Sequence, residues 1–199
     1  MNKKAVCFIV AGIICVAAAL GLFVYNRLQS ENAKKESESI VENLSAQIEQ
    51  GTRGAEAFPT DNPDRVMPAL TAEGGRYIGI LSIPALGLEL PVGEWLSDDA
   101  IQITPCLYSG SIYKHDMVIG AHNYDSHFGR ISSLKFGDEV VFTDAENNVY
   151  KCEVVNLETL RPEQNDVLTQ KTSENDWDIS LFTCTYSGSE RVAVRCSLK

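Results

Sequence analysis

The chain has 199 residues, 44% of them hydrophobic, and a formal net charge of -10 at pH 7. That length holds one ordinary domain plus extensions. From Arg76 onward 18 Asp and Glu stand against 10 Lys and Arg, an acidic balance that repels phosphate backbones and anionic lipid surfaces and argues against a nucleic-acid partner.

Residues 5–25, AVCFIVAGIICVAAALGLFVY, carry no charge. At helical rise this run reaches about 30 Å, the thickness of a bilayer core. It is also longer than the apolar region of a cleaved leader, and residues 20–25 continue it past the small residues Ala17, Ala18 and Ala19. Residues 1–26 therefore read as a short cytoplasmic tip and a single transmembrane signal anchor. Lys3 and Lys4 precede the span and Arg27, Lys34 and Lys35 follow it, so charge counting does not orient it.

Residues 27–75 read as a polar helical stalk followed by a flexible linker. Leu28, Ile40, Val41, Leu44 and Ile48 form only a thin apolar stripe, which predicts a solvated helix. Gly51, Gly54, Pro59, Pro63, Pro68, Gly74 and Gly75 give residues 51–75 the composition of a linker.

The folded domain spans residues 76–199. YIGILSIPALGLELPV (77–92) predicts two strands broken at Pro84 and Gly87, and residues 98–102 a helical turn. Residues 116–122 read as a buried strand. Residues 137–160 read as a hairpin turning at Asn147 and Asn148. Residues 177–184 and 191–198 are the last two strands, and helical signal is confined to short pieces around 129–135 and 166–171. Many short strands with little helix predict a mainly β domain closed into a barrel.

Six cysteines are present, with no C-x-x-C spacing, so neither a structural zinc site nor a disulfide scaffold is supported. Cys7 and Cys15 fall in the span. Cys152 and Cys196 share strand faces with apolar neighbours and read as core. Cys184 differs, because it ends a strand and precedes a polar loop, where scaffolds expose reactive groups. A cysteine nucleophile needs a base to form its thiolate. His122 also ends an apolar strand, whereas His115 and His127 lie among loop residues and read as solvated. Arg191 opens the strand after the Cys184 loop and brings a permanent charge with several fixed donors. Arg195, on the same strand face, reads as a brace for the sheet or one half of a surface pair.

VIGAHNYDSHFGRISSLKFGDEVVF (118–142) and LFTCTYSGSERVAVRC (181–196) together resemble the sortases, membrane-anchored cysteine transpeptidases of Gram-positive surfaces. The resemblance rests on Gly120-Ala121-His122, the stretch from Phe128 to Leu134, Gly137-Asp138, Thr183-Cys184, and Arg191 through Arg195. It covers roughly 76–199. Ala121 intervenes where many members have Gly directly before His, and the loop from Cys184 to Arg191 has only six residues. The style is nearest class B or a minor class. The resemblance implies an eight-stranded sortase barrel behind a single anchor, placed on the extracellular side of the cell membrane. It implies Cys184 as nucleophile, His122 as acid and base, Arg191 as oxyanion donor, and Thr183 as a substrate-binding residue. The substrates it implies are proteins with a Leu-Pro-x-Thr-Gly-like sorting signal, joined through a thioester to an amine of a peptidoglycan precursor or a pilin.

No cofactor or metal is required by that chemistry. Calcium on Asp138, Glu139, Asp144 and Glu146 competes with the simpler reading of a solvated acidic hairpin. Two other functions stay open. A cell-wall L,D-transpeptidase also joins Cys, His and Arg, but its arginine follows the cysteine closely, whereas Arg191 lies seven residues beyond Cys184. A non-catalytic anchored β-barrel binding module with an incidental thiol is the third reading.

Overall fold

A computed structural model describes residues 3–51, 55–56, 62–172, 176–185 and 187–199. The chain forms two compact units, 1–32 and 33–199. The described residues of the first belong to helix α1 (Lys3–Gly51). Among the described residues one helix is long and apolar enough to cross a membrane, and its most apolar window has a mean hydropathy of 2.6 with none of it buried.

In the second unit the remainder of α1 packs on a barrel. Ile40, Leu44 and Ile48 are buried against Ala72, Tyr77 and Ile80. Ser37 Oγ donates to the Ile103 carbonyl at 3.0 Å, and Gln47 Nε2 donates to the Thr71 carbonyl at 3.0 Å. The part of the stripe from Ile40 to Ile48, read from sequence as a solvated stalk, is thus a packing surface, while Leu28 is exposed. The stripe looked thin because the small residues Ala33 and Ser37 are buried along with it. Leu44 is fully buried, so Leu44→Ala is expected to lower stability by about 2–5 kcal/mol. Denaturant unfolding checks this, and a solvated helix would show almost no change.

The strands are β1 (Ala55–Glu56), β2 (Leu70–Ala72), β3 (Gly75–Ile83), β4 (Leu88–Gly93), β5 (Cys106–Ser109), β6 (Met117–Gly120), β7 (Glu139–Asp144), β8 (Asn148–Leu160), β9 (Ile179–Cys184) and β10 (Arg191–Leu198). Eight of them close a ring in the order β3-β4-β5-β6-β9-β10-β8-β7, with β7 pairing back onto β3. The predicted closed barrel is therefore present. β1 adds to β8 in parallel and β2 to β3 antiparallel, so parts of the predicted linker extend the sheet.

Local chemistry explains the elements. Pro84 starts a 3-10 turn, and Gly87 closes it in the left-handed region at φ 62°, which reverses the chain between β3 and β4. Asn147 takes φ 64° at the β7–β8 turn. There the buried Asp144 carboxylate accepts hydrogen bonds from the Glu146 and Asn148 backbone amides, both at 2.9 Å. It also accepts from the Tyr113 and Tyr150 hydroxyls. β6 runs parallel to β9 in the middle of this wall and is covered on both faces, which is why it is uniformly apolar.

The interior is filled by one large cluster that includes Leu81, Val92, Ile119, Phe128, Phe142, Tyr150, Leu181 and Val194. A second cluster lies on the outer face of β6, β9 and β10, where Val118, Phe182 and Ala193 meet Leu160, Leu168 and Trp177. Arg195 is fully buried beside it. Its guanidinium donates to Glu158 Oε1 (2.8 Å), the Leu168 carbonyl, Ser180 Oγ and the Val167 carbonyl (2.7 Å each). It also stacks 4.9 Å from the Trp177 ring centroid. Arg195 therefore fastens the connection between β8 and β9 to the barrel wall.

Candidate active site

Three strand ends meet at one rim. β10 pairs antiparallel with β9, and Arg191 sits directly opposite Cys184. β6 pairs parallel with β9, with Gly120 opposite Phe182. The Ala121 amide continues that ladder by donating to the Phe182 carbonyl at 3.1 Å. Arg191 thus shares a rung with Cys184, and His122, two residues past the end of β6, lies on the segment that continues toward the same rim.

Side-chain alternation puts them on the same face. Ile179 and Leu181 point into the barrel, so Phe182 and Cys184 point outward. On β10, Ala193 packs in the outer cluster and Val194 in the interior, which sends Arg191 outward as well. On β6, Val118 is outer and Ile119 inner, which gives His122 the outer position. Below the rung the outer face is tightly filled. A Cβ on Gly120 would come within 2.6 Å of the Phe182 ring and 3.0 Å of Leu96. The Phe182 ring meets Tyr108 edge-on, at 5.2 Å between centroids.

The strand ends are tied together from the other face. Thr183 points inward, is buried, and donates its hydroxyl to the Ala121 carbonyl at 2.8 Å. Asn123 Nδ2 donates to the Thr185 carbonyl at 3.3 Å. The Thr185 amide donates to the Glu190 carbonyl at 2.8 Å, closing the loop that returns to Arg191. Tyr186, within this loop, lies outside the described residues. A small pocket of about 120 Å³ opens beside Cys184, with Asn123, Ser132, Thr183, Thr185 and Val192 in its wall. Thr183 lines this pocket beside Cys184 and ties β9 to the segment leading to His122, while His122 and Arg191 are not among the pocket's lining residues.

Burial separates the cysteines. Cys184 is exposed, whereas Cys106, Cys152 and Cys196 are buried, and all four are free thiols. Burial pushes the Cys106 and Cys152 thiols up to about 12 and raises the Cys196 thiol well above its usual value. Cys196 pairs with Val154 and Cys152 with Leu198, so the two core thiols are not directly opposite. His122 and Arg191 are half-buried. Burial lowers the His122 pKa, favouring the neutral ring at neutral pH, and its Nε2 is buried with no hydrogen-bond partner.

The other histidines behave differently from one another. His115 is exposed and holds Asp178 through Nδ1 at 2.5 Å, away from the rung in sequence and register. His127 is fully buried, contrary to the solvated loop residue read from sequence. Its neighbours explain the difference, since the Tyr124 ring packs on His127 and the next residue, Phe128, is buried in the core with Ile131. Sequence reasoning also passed over Tyr124, whose ring stacks on His122; its place two residues after a strand-end histidine was the available signal. Among the described residues no cluster of His, Cys, Asp and Glu forms a metal site.

The family model described as Sortase domain matches residues 81–199. No curated protein matches the chain in sequence. Among solved structures, a sortase D5 transpeptidase of Clostridium perfringens is similar at 19% identity, over 83% of this chain and 97% of that one, with a TM-score of 0.56. Sortase C of Streptococcus pneumoniae, described for its pilin substrate specificity, is similar at 20% identity, over 86% and 89% of the two chains, with a TM-score of 0.56. Sortase A of Corynebacterium diphtheriae is similar at 17% identity, over 92% and 95%, also with a TM-score of 0.56. At these identities the likeness concerns the fold.

Proposed function

The chain belongs to the sortase family, and on that premise we propose that it is a membrane-anchored cysteine transpeptidase that moves a sorting-signal peptide onto an amine. The observation that supports the reading is the pairing of Arg191 with Cys184 at the end of β9 and β10, next to the end of β6 from which the His122 segment continues. A thiol, an imidazole and a guanidinium at one rim match the needs of acyl transfer.

The steps balance as follows. Cys184 passes its thiol proton to His122 and attacks the scissile carbonyl, forming a C–S bond. Negative charge develops on the carbonyl oxygen, and Arg191 donates hydrogen bonds to it. His122 returns the proton to the leaving nitrogen as the C–N bond breaks, which leaves a thioester. The incoming amine attacks that thioester and gives its proton to His122. The C–S bond then breaks, and Cys184 recovers the proton. The low basicity that burial gives His122 suits a group that must shed each proton it takes.

Residues 1–26 serve as the anchor in this reading, with 27–75 as connecting segment and 76–199 as the catalytic domain on the extracellular side. The donor is a protein with a Leu-Pro-x-Thr-Gly-like signal, and the acceptor an amine of a peptidoglycan precursor or a pilin. The test is incubation of the detergent-solubilised full chain with a library of sorting peptides and candidate amines, reading products by mass. The expected product is an amide joining the amine to the N-terminal part of one peptide class. Binding of peptides with no cleavage under any amine would instead favour an anchored binding module.

A further inference from the structure

The reaction above uses His122 but says nothing of what holds its ring. The Tyr124 ring is stacked on the His122 imidazole, with centroids 5.1 Å apart and planes 30° from parallel. Tyr124 also packs on His127, at 5.5 Å and 47°. Its hydroxyl donates to Gln102 Oε1 of helix α2 (Ala100–Ile103) at 3.0 Å, which fixes the far end of the ring. The main chain fixes the near end. The Tyr124 carbonyl accepts from the His127 and Gly129 amides, both at 2.9 Å, and the His122 carbonyl accepts from the Phe128 amide at 3.2 Å.

His122 depends on this arrangement. Its Nε2 is buried without a hydrogen-bond partner, so no bond at that atom sets the plane of the ring. The stack restrains it instead. His127 completes the support from a fully buried position in which neither ring nitrogen has a partner of ordinary geometry. Burial, reinforced by nearby His122 and opposed by the Ile103 backbone, pushes His127 down to about 4. It is therefore neutral at physiological pH and sets no standing positive charge against His122. A neutral flat ring is also the form that packs on an aromatic face without desolvating an ion.

We propose that Tyr124 is a positioning residue for His122: its aromatic face holds the imidazole in plane and stabilises the imidazolium formed when Cys184 gives up its proton. A cation within about 6 Å of an aromatic centroid is attracted by the ring quadrupole, and that attraction exists only while His122 is charged. The interaction is thus stronger in the charged intermediate than at rest, the condition for lowering a barrier. Tyr124 and His127 on its own connection lie against or near His122, and strand pairing brings Cys184 on β9 and Arg191 on β10 to the neighbouring strand ends. Gln102 of α2 enters only through Tyr124 and is uncharged. This proposal rests on the reading of His122 as the proton carrier.

The test compares Tyr124→Phe, which keeps the ring and loses the Gln102 bond, with Tyr124→Leu, which keeps apolar volume and loses the aromatic face. Full-length variants are assayed for peptide transfer, and His122 is titrated by NMR with His122→Gln to assign the signal. The leucine variant is expected to lose about tenfold in kcat with KM nearly unchanged. Its His122 should titrate lower than in wild type, while the phenylalanine variant restores both. Melting temperatures of the two variants should agree, which separates positioning from folding. A leucine variant with wild-type kcat and wild-type His122 titration would overturn the proposal, as would a loss confined to KM. Absence of transfer by the wild-type chain would overturn the transpeptidase reading and this proposal together. Normal wild-type transfer with an unaffected leucine variant would overturn the stack alone.

Discussion

Cys184→Ala is expected to abolish thioester formation and transfer, a fall of at least about 10⁴ in rate, while leaving the melting temperature within a few degrees of wild type. The two halves of that expectation come from the same fact. Cys184 ends β9 at an exposed rim, so deleting its sulfur opens no cavity. The same deletion removes the atom to which the acyl group would be bonded. No other barrel cysteine stands in for it. Cys106, Cys152 and Cys196 are buried, and burial raises each thiol's pKa and keeps it protonated at pH 7. Brief treatment with a methanethiosulfonate should therefore modify Cys184 alone among these four and stop turnover. Intact mass after exposure to peptide reads the result directly. An acyl adduct on the alanine variant, or full activity after Cys184 is blocked, would end the assignment.

Much of the barrel was legible because its strands carry their own punctuation. Pro84 with Gly87, and Asn147 with Asn148, mark reversals whose backbone angles those residues favour, and both turns fall where expected. The apolar strand before His122 announced itself by having no polar face, as a strand between two layers must. What was missed lacks such signals. β5, Cys106–Ser109, is four residues long and follows Pro105, too short for alternation to register. The stalk misled because Ala33 and Ser37 contribute to a packing face without adding hydrophobicity. His127 looked solvated among Asn123, Asp125 and Ser126, since the burial comes from the Tyr124 ring packing on it and the buried Phe128 beside it and not from its polar sequence neighbours. At the site, sequence order named His122, Cys184 and Arg191. Only the parallel pairing of β6 with β9 brings the first toward the second, and parallel pairing leaves no mark in the sequence.

Arg191→Lys is expected to reduce kcat by about 10²–10³ with an unchanged fold. The argument starts from the strand itself. β10 carries two arginines on its outer face, four residues apart, in different surroundings. Arg195 is fully buried, with its guanidinium committed to Glu158, Ser180 and the carbonyls of Val167 and Leu168, and it stacks on Trp177. That side chain fastens the β8–β9 connection and is not available to a reacting carbonyl. Arg191 is half-buried at the open end, directly opposite Cys184. In a chain whose net charge is -10, a charged donor at the point where an oxyanion forms has to be supplied locally. Lysine keeps the charge but replaces a rigid planar fork with one flexible ammonium, so it separates charge from geometry. If the fork matters, kcat falls while peptide KM moves little, because the contact strengthens only as the oxygen becomes negative. Steady-state kinetics on the two proteins, with circular dichroism to check the barrel, measures this. Near-normal kcat in the lysine variant would show that positive charge alone suffices at this position and would remove the bidentate oxyanion contact from the mechanism.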